Sequence, residues 1–258
     1  MTNWPEFFDK ERICVVVPTY NNERTITDVL RRIQAYTNQI IVVNDGSTQE
    51  TMKAIVTAFD EEDDARLIVS YSPNKGKGYA LKLGFRRALE LGYRYAITID
   101  SDGQHFPEDI PVFMECFQAH RGSLIVGARN LTADNMPAQN TFANKFSNFW
   151  FHLQTGIRLE DTQSGYRLYP LDRINLRWPI TPRYEAELEL LVFSAWRGTP
   201  VVSVPVRVYY PPEGERVSHF RPFHDFFRIS VLNSILCFAA LFYYLPVKIV
   251  RLLKSIQN

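Results

Sequence analysis

The sequence predicts an α/β fold: an open, parallel sheet covered by helices on both faces, followed by an apolar C-terminal extension. Three observations predict it. Over residues 13–128, short β-branched runs alternate with amphipathic stretches of helical period. Those runs are continuously apolar rather than alternating, as in strands buried on both faces. Three of them end in polar clusters, Pro18-Thr19-Tyr20, Asn44-Asp45-Gly46-Ser47 and Asp100-Ser101-Asp102. The carboxyl ends of strands line the ligand crevice of open α/β sheets, so the clusters point to one shared site.

Taken in order, strands are predicted at 13–17, 40–43, 67–71, 95–99 and 124–127, with helices at 22–36, 48–59, 78–91 and 107–120 between them. From 130 to 156 the pattern loosens into a polar, aromatic-dotted segment that runs into a helix at 140–155. The motif Asp161-Thr162-Gln163-Ser164-Gly165-Tyr166-Arg167 follows, then a helix at 184–196 and an alternating strand at 201–210. Residues 229–245 read ISVLNSILCFAALFYYL without a charge, then come Pro246 and a tail in which Lys248, Arg251 and Lys254 interleave with aliphatics. As a helix this run spans ~26 Å, short of a ~30 Å hydrocarbon core. Together with its basic amphipathic tail, it predicts a helix lying on a membrane rather than crossing it. A buried core helix is the alternative. The expected division is a catalytic unit at 1–210 and a membrane-associated segment at 211–258.

Composition closes off other classes. In 258 residues, 46% are apolar and 22% charged, which excludes disorder, collagen and coiled coil. Lys and Arg total 29 against 28 Asp and Glu, so the net charge of +1 offers no global attraction for nucleic acid. Cys14, Cys116 and Cys237 are odd in number, far apart and set in apolar stretches, which suits buried thiols in a reducing compartment. Residues 1–12 lack the basic start and apolar core of a secretory signal, so the catalytic part is expected at the cytoplasmic face of the membrane.

The chemistry centres on Asp100-x-Asp102. Two carboxylates this close repel, and a divalent cation relieves the repulsion. Hard oxygen donors suit Mg²⁺ or Mn²⁺, and Gln104 can add a carbonyl oxygen. The run Asn74-Lys75-Gly76-Lys77-Gly78 is not a Walker loop, because it lacks the spacing and the GK[ST] ending.

VVVPTYNNE, VVNDGST, NKGKGYAL and DSDGQHFPEDI, in this order, resemble the catalytic domain of family-2 glycosyltransferases, with the Rossmann-like GT-A fold. The DxDGQH form, DTQSGYRLY and a late Glu-rich helix before a VPV strand resemble the dolichol-phosphate mannose synthase branch. The resemblance implies transfer of a hexose, with inversion, from a UDP- or GDP-sugar to a lipid or polyprenyl-phosphate acceptor. It implies donor contacts at Pro18, Tyr20, Glu23, Asp45, Lys77, Gly78, Asp100 and Ser101. Asp102 becomes the direct metal ligand, with Asp100 on the ribose or on the metal through water, and His105 orienting the pair. Acceptor contacts fall on Arg129 and Arg167, and on Lys145 where relatives that use polyprenyl phosphate usually carry an arginine. A lysine lacks the bidentate fork that suits phosphate.

Whether a general base is needed separates the acceptor types. A hydroxyl nucleophile needs one; a phosphate monoester, with a second pKa of ~6, is already largely ionised at neutral pH. Glu187 matches the family's late acidic position, with Asp161 the other candidate; a surface carboxylate and a turn aspartate are their structural alternatives. Ahead of the apolar run, Arg216, His219, Arg221 and Arg228 are interleaved with Phe220, Phe223, Phe226 and Phe227. That mixture suits the headgroup layer and predicts an acceptor-binding role for Arg216, His219 and Arg221. Three rivals stand beside this reading. A nucleotidyltransferase wants a glycine- and arginine-rich segment after the first strand, which Pro18-Thr19-Tyr20-Asn21-Asn22-Glu23 is not. The others are transfer to a saccharide or protein hydroxyl, and a catalytically silent nucleotide-sugar-binding protein.

Overall fold

The computed structural model describes residues 3–59, 67–130, 138–176, 181–210 and 222–256. Its elements in chain order are α1 (Trp4–Glu11), β1 (Ile13–Thr19), α2 (Ile26–Gln34), β2 (Ile40–Asp45), α3 (Gln49–Ala58), β3 (Ile68–Tyr71), α4 (Lys77–Glu90) and β4 (Tyr95–Thr98). Then follow α5 (Ile110–Ala119), β5 (Leu124–Arg129), α6 (Ala138–Thr155), β6 (Arg167–Pro170), α7 (Glu185–Trp196), β7 (Val201–Val206), α8 (Pro222–Ala239) and α9 (Leu245–Ile256). The seven strands form one sheet in the order β3-β2-β1-β4-β6-β5-β7. This is the expected three-layer GT-A arrangement.

Alternation along the strands divides the core. Ile13, Val15 and Val17 of β1, with Ile40 and Val42 of β2, pack under α1, α2, α3 and α5. Cys14, Val16, Ile41 and Val43 point the other way, into α4, α6, α7 and Leu236 of α8. Each central strand thus buries both faces, which is why its sequence reads as a continuous apolar run. Strand order reverses between β1 and β4, whose carboxyl ends therefore open a crevice.

Several local expectations are corrected. The sheet is mixed: β6, not predicted as a strand, runs antiparallel between β4 and β5, pairing Thr98 with Arg167 and Ile125 with Leu168. Its four residues, RLYP, carry a charge and a proline at their ends and so lack the apolar run that marks the other strands. α1 was also unpredicted; the Asn3 side chain caps it, Pro5 lies in its first turn and Arg12 closes it in a left-handed conformation. The strand expected at 201–210 ends at Val206, and α2 begins at Ile26 rather than at 22. Asn22 is instead committed to the crevice, where its amide donates to Ser101 Oγ at 2.7 Å.

The C-terminal extension is longer and straighter than its composition implied. α8, a π-helical turn at Ala240–Tyr244 and α9 are continuous. Pro246 has no N–H and its ring would clash with the carbonyl one turn earlier, and the widened turn just ahead of it absorbs both defects. Among the described residues this is one helix long and apolar enough to cross a membrane, 24 residues over Phe227–Val250. At 1.5 Å per residue that is ~36 Å, so length alone no longer argues against a span.

Candidate active site

The carboxyl ends of β1 and β4 are laced together before any ligand arrives. Ser101, buried, donates from its hydroxyl to the carbonyl of Pro18 at 3.1 Å, and Thr25 Oγ1 donates to the Ser101 carbonyl at 2.6 Å. Asn21, at φ 53°, accepts from Thr48 N at 3.0 Å through Oδ1 and so ties the first loop to the start of α3. Tyr20 sits on that loop, half-buried, while Glu23 is exposed and accepts from Thr51 Oγ1 at 3.1 Å. Asp45, at the end of β2, accepts from the backbone N–H of Lys75 at 2.7 Å, from that of Gly76 at 2.8 Å and from the Asn74 amide at 2.9 Å. It therefore shapes the loop that leads into α4. A Cβ on Gly78 would collide with the Thr181 carbonyl and the Ala186 methyl, so glycine is what lets α4 start against α7.

A cluster of charge closes the crevice. Lys77, in the first turn of α4, places Nζ 2.6 Å from Asp100 Oδ1 and 3.0 Å from Glu187 Oε2. Burial works against the Lys77 ammonium, but the two carboxylates outweigh it and hold its pKa above the ordinary lysine value. Burial likewise raises Asp100, and Lys77, then His105 and Arg129, more than offset it, so Asp100 stays below the usual carboxylate range. Asp102 differs. Burial and the adjacent Asp100 charge push it up to about 6, although its Oδ1 accepts from Gln104 N at 3.0 Å. It is a carboxylate short of positive charge.

β6 supplies the floor. Because it runs antiparallel, its first residues meet the carboxyl end of β4, and Thr98 Oγ1 donates to the Gly165 carbonyl at 2.7 Å. A Cβ on Gly165 would stand 2.6 Å from Lys77 Nζ, 2.8 Å from Asp100 Oδ2 and 2.9 Å from Glu187 Oε1. Glycine is therefore what lets the three charges meet there. Gly165 is a site residue that the sequence marks only as part of the Asp161–Arg167 motif, a glycine beside the chemistry rather than at a chain reversal.

The remaining predicted residues separate into two groups. Asp161 is fully buried and accepts from Arg129 Nε at 2.6 Å and Nη2 at 3.0 Å, from Gln163 N at 3.0 Å and Ser164 N at 3.1 Å, and from the Asn144 amide. Burial alone would raise its carboxyl, but these donors, Arg129 first, hold it low. Arg167, expected at the acceptor, lies in the core. Its guanidinium donates to the carbonyls of Glu187 at 2.6 Å, Ser164 at 2.7 Å and Thr162 at 2.9 Å, and so braces α7. His105 is buried beside Tyr166, and burial lowers it to about 4. Lys145 is exposed on α6, next in the chain to Asn144, whose amide donates to Asp161, while Gln104 is half-buried and accepts from Tyr209 N through its backbone carbonyl. Arg216, His219 and Arg221 lie outside the described residues. The three acids of α7 are all buried rather than facing solvent: Glu185 pairs with Arg228 of α8 at 2.9 Å, and Glu189 accepts from Thr181 N at 2.6 Å.

Among the described residues no three His, Cys, Asp or Glu side chains gather as a metal cluster. The donor chemistry nevertheless fits a hard divalent ion. Mg²⁺ is usually held by one or two carboxylates with the rest of its shell from substrate phosphates and water, and a buried carboxylate lacking positive charge is what such an ion neutralises.

A reversed strand order, a carboxylate pair at the switch point and a loop shaped by Asp45 give a crevice suited to a phosphorylated ligand. Residues 14–164 match the family described as Glycosyl transferase family 2, and the chain belongs to that family: it is a glycosyltransferase. It is 29% identical over 215 residues to the UDP-N-acetylglucosamine--dolichyl-phosphate N-acetylglucosaminyltransferase of Methanococcus voltae, covering 77% of this chain and 86% of that one. To the polyprenol monophosphomannose synthase of Mycolicibacterium smegmatis it is 29% identical over 205 residues, covering 76% and 77%. The fold superposes with a TM-score of 0.64 on the glucosyl-3-phosphoglycerate synthase of Mycobacterium tuberculosis crystallised with Mn²⁺, UDP-glucose and phosphoglyceric acid, at 19% identity over 93% of this chain and 84% of that one. The names of the first two relatives are consistent with the resemblance to the dolichol-phosphate mannose synthase branch.

Proposed function

We propose that this glycosyltransferase moves a hexose, with inversion, from a UDP- or GDP-sugar to a polyprenyl-phosphate acceptor at the cytoplasmic face of a membrane, with Mg²⁺ or Mn²⁺. The observation that carries the reading is the Lys77–Asp100–Glu187 cluster beside an electron-rich Asp102 at the β1/β4 switch point. Asp102 and Asp100 hold the ion, with Gln104 close by. When bound, the ion neutralises charge on the departing nucleoside diphosphate. Pro18, Tyr20, Glu23 and Asp45 frame the nucleoside. Lys77 and the start of α4 at Gly78 face its diphosphate, a favourable place for negative charge. Ser101 keeps the two strand ends in register.

Glu187 supports a phosphate acceptor over a hydroxyl. Its carboxylate is tied to Lys77 and its backbone to Arg167, an arrangement that positions rather than removes a proton. A phosphate monoester, largely ionised at neutral pH, needs no base. Asp161, saturated with donors, holds Arg129 at the acceptor side of the crevice. The dolichyl-phosphate N-acetylglucosaminyltransferase and polyprenol monophosphomannose synthase relatives support the same reading.

The C-terminal helix supports membrane attachment in the plane of the interface. One face packs along the domain: Gln154 donates to Asn233 Oδ1 at 3.1 Å, and Trp196 stacks on Tyr244 at 5.3 Å. Crossing the bilayer with that face docked would carry α6 and α7 into the hydrocarbon. The opposite face, Phe227, Val231, Ile235, Phe238, Phe242, Leu245 and Ile249, is an exposed apolar stripe.

The test is sugar transfer by the purified full chain, with UDP- and GDP-sugars, with and without Mn²⁺, offering polyprenyl phosphate or the corresponding polyprenol. Metal-dependent glycosylation of the phosphate alone is the expected result. Transfer to the alcohol, or donor binding without transfer to either, overturns the acceptor assignment.

A further inference from the structure

A second concavity lies away from the crevice, at the other end of α7. Glu187 stands near the start of α7 and Trp196 at its end, about 14 Å along the axis. There the chain turns at Gly198, and α7 meets the π-helical turn and the first turn of α9. The junction encloses a cavity of about 560 Å³. Leu190, Phe193, Trp196 and Tyr244 are among the residues lining it, and Arg197 and Lys248, both exposed, stand on its wall. Lys248 Nζ sits 5.7 Å above the Tyr244 ring. No part of the crevice chemistry uses these residues.

Three features converge on one occupant. The cavity offers apolar and aromatic surface for a hydrocarbon stem, together with two cations for a negative head. Its lining residue Tyr243, 63% exposed, directly follows Phe242 of the exposed apolar stripe in the chain. The widened turn at Ala240–Tyr244 is part of its wall, so the backbone irregularity that accommodates Pro246 also shapes the hollow. A free anion satisfies the cations but leaves the aromatic wall wet. A second copy of the chain could cover the stripe, yet it would bring Arg197 and Lys248 toward their own like charges. A phospholipid satisfies head, stem and stripe at once.

We propose that this cavity is a binding site for the headgroup of an anionic phospholipid in the bilayer, separate from the acceptor site. It fixes the rotation of the C-terminal helix on the membrane and hence the direction in which the crevice faces. The proposal rests on the in-plane membrane reading above.

The experiment is co-flotation of the full chain with vesicles of phosphatidylcholine alone and of phosphatidylcholine with phosphatidylglycerol. The variant Arg197→Glu/Lys248→Glu is compared with Arg31→Glu, an exposed position on α2 across the sheet. Each basic residue near an anionic surface strengthens binding several-fold, so reversing two should weaken binding to the phosphatidylglycerol vesicles by about tenfold or more. Arg31→Glu should change it little, and binding to phosphatidylcholine alone should survive in both variants. The site is overturned if the loss per reversed charge is the same in the two variants, which makes the effect net charge, or if the double variant keeps the wild-type preference for anionic vesicles. It is also overturned if the chain sediments as a dimer with its stripe covered and floats with neither vesicle. That last result sinks the membrane reading as well, whereas the first two leave it standing.

Discussion

The crevice and the C-terminal helix both place residues against the preference of the hydrophobic effect, in opposite senses. In the crevice, ionised side chains lie below the surface: Asp161 and Arg167 at 0% exposure, with Lys77, Asp100 and Glu187 mostly covered. On the helix, large apolar side chains face outward, Phe238 at 65% and Phe242 at 72%. The two arrangements persist for different reasons. Buried charges are tolerated because each finds a partner within the fold, Lys77 for Asp100 and Glu187, Arg129 for Asp161. Asp102 is the exception, and the raised carboxyl marks where a ligand is needed. The exposed apolar surface finds no partner among the described residues, and the proposed cover is a membrane. Unsatisfied chemistry thus underlies the ligand proposed in each place: a cation and diphosphate at one, a bilayer at the other.

Removing the unsatisfied group should break the contrast most strongly. Asp102→Ala should lower the metal-supported transfer rate by about 10³-fold, roughly the 4 kcal/mol expected when a charged leaving group loses its Lewis acid. Initial rates at saturating Mn²⁺, with circular dichroism to confirm the fold, check this; a loss under tenfold would remove Asp102 from the site.

The satisfied cluster should respond in stability instead. Lys77→Met leaves Asp100 and Glu187 facing each other under partial burial and should cost about 3 kcal/mol in urea unfolding. Adding Glu187→Gln should recover part of it, so the double variant is less destabilised than the sum of the singles. Additive losses would mean that the lysine bridges nothing in solution.

Asp102 also sets a pH dependence. Its folded pKa, about 6, lies above the ordinary carboxylate value, so the folded, metal-free protein binds this proton more tightly than the unfolded chain. That contribution to stability is present in full below the ordinary carboxylate range and is lost as pH rises through 6. Mn²⁺ requires the deprotonated form, so its affinity should fall by about tenfold per pH unit below 6 and level off above it. Titration calorimetry of the donor-free protein at several pH values tests both the position and the sign.

The smallest effect sharpens the other side. Phe238→Ser/Phe242→Ser should change unfolding free energy by about 0.5 kcal/mol or less, since both rings are exposed. The same change should reduce flotation with phosphatidylcholine vesicles. A large stability loss would mean that the stripe is buried in solution.

Much of this was legible in the chain. The continuous apolar runs predicted the parallel strands because burial on both faces leaves no alternation, and the polar strand ends predicted one crevice. Gln154 and Asn233, paired at the α6–α8 interface, lie far apart in the chain and no local pattern links them. The alternating acids of α7 allowed a solvated face as the alternative to a site role for Glu187, and Glu185, Glu187 and Glu189 are all buried, each with a partner outside α7. Helical periodicity reports how polarity is distributed around an axis. It does not report whether a buried polar residue will find its counter-charge.

The sequence by itself determined the strand runs, the acidic pair at the end of β4, the family and the apolar C-terminal run, because each depends on residues near one another in the chain. Tertiary structure alone decided the direction of β6, the meeting of Lys77, Asp100 and Glu187 above Gly165, the placement of Arg167 in the core and the docking of one face of α8 on α6. Each of these joins residues from separate elements, and the interaction exists only once the sheet has brought their ends together.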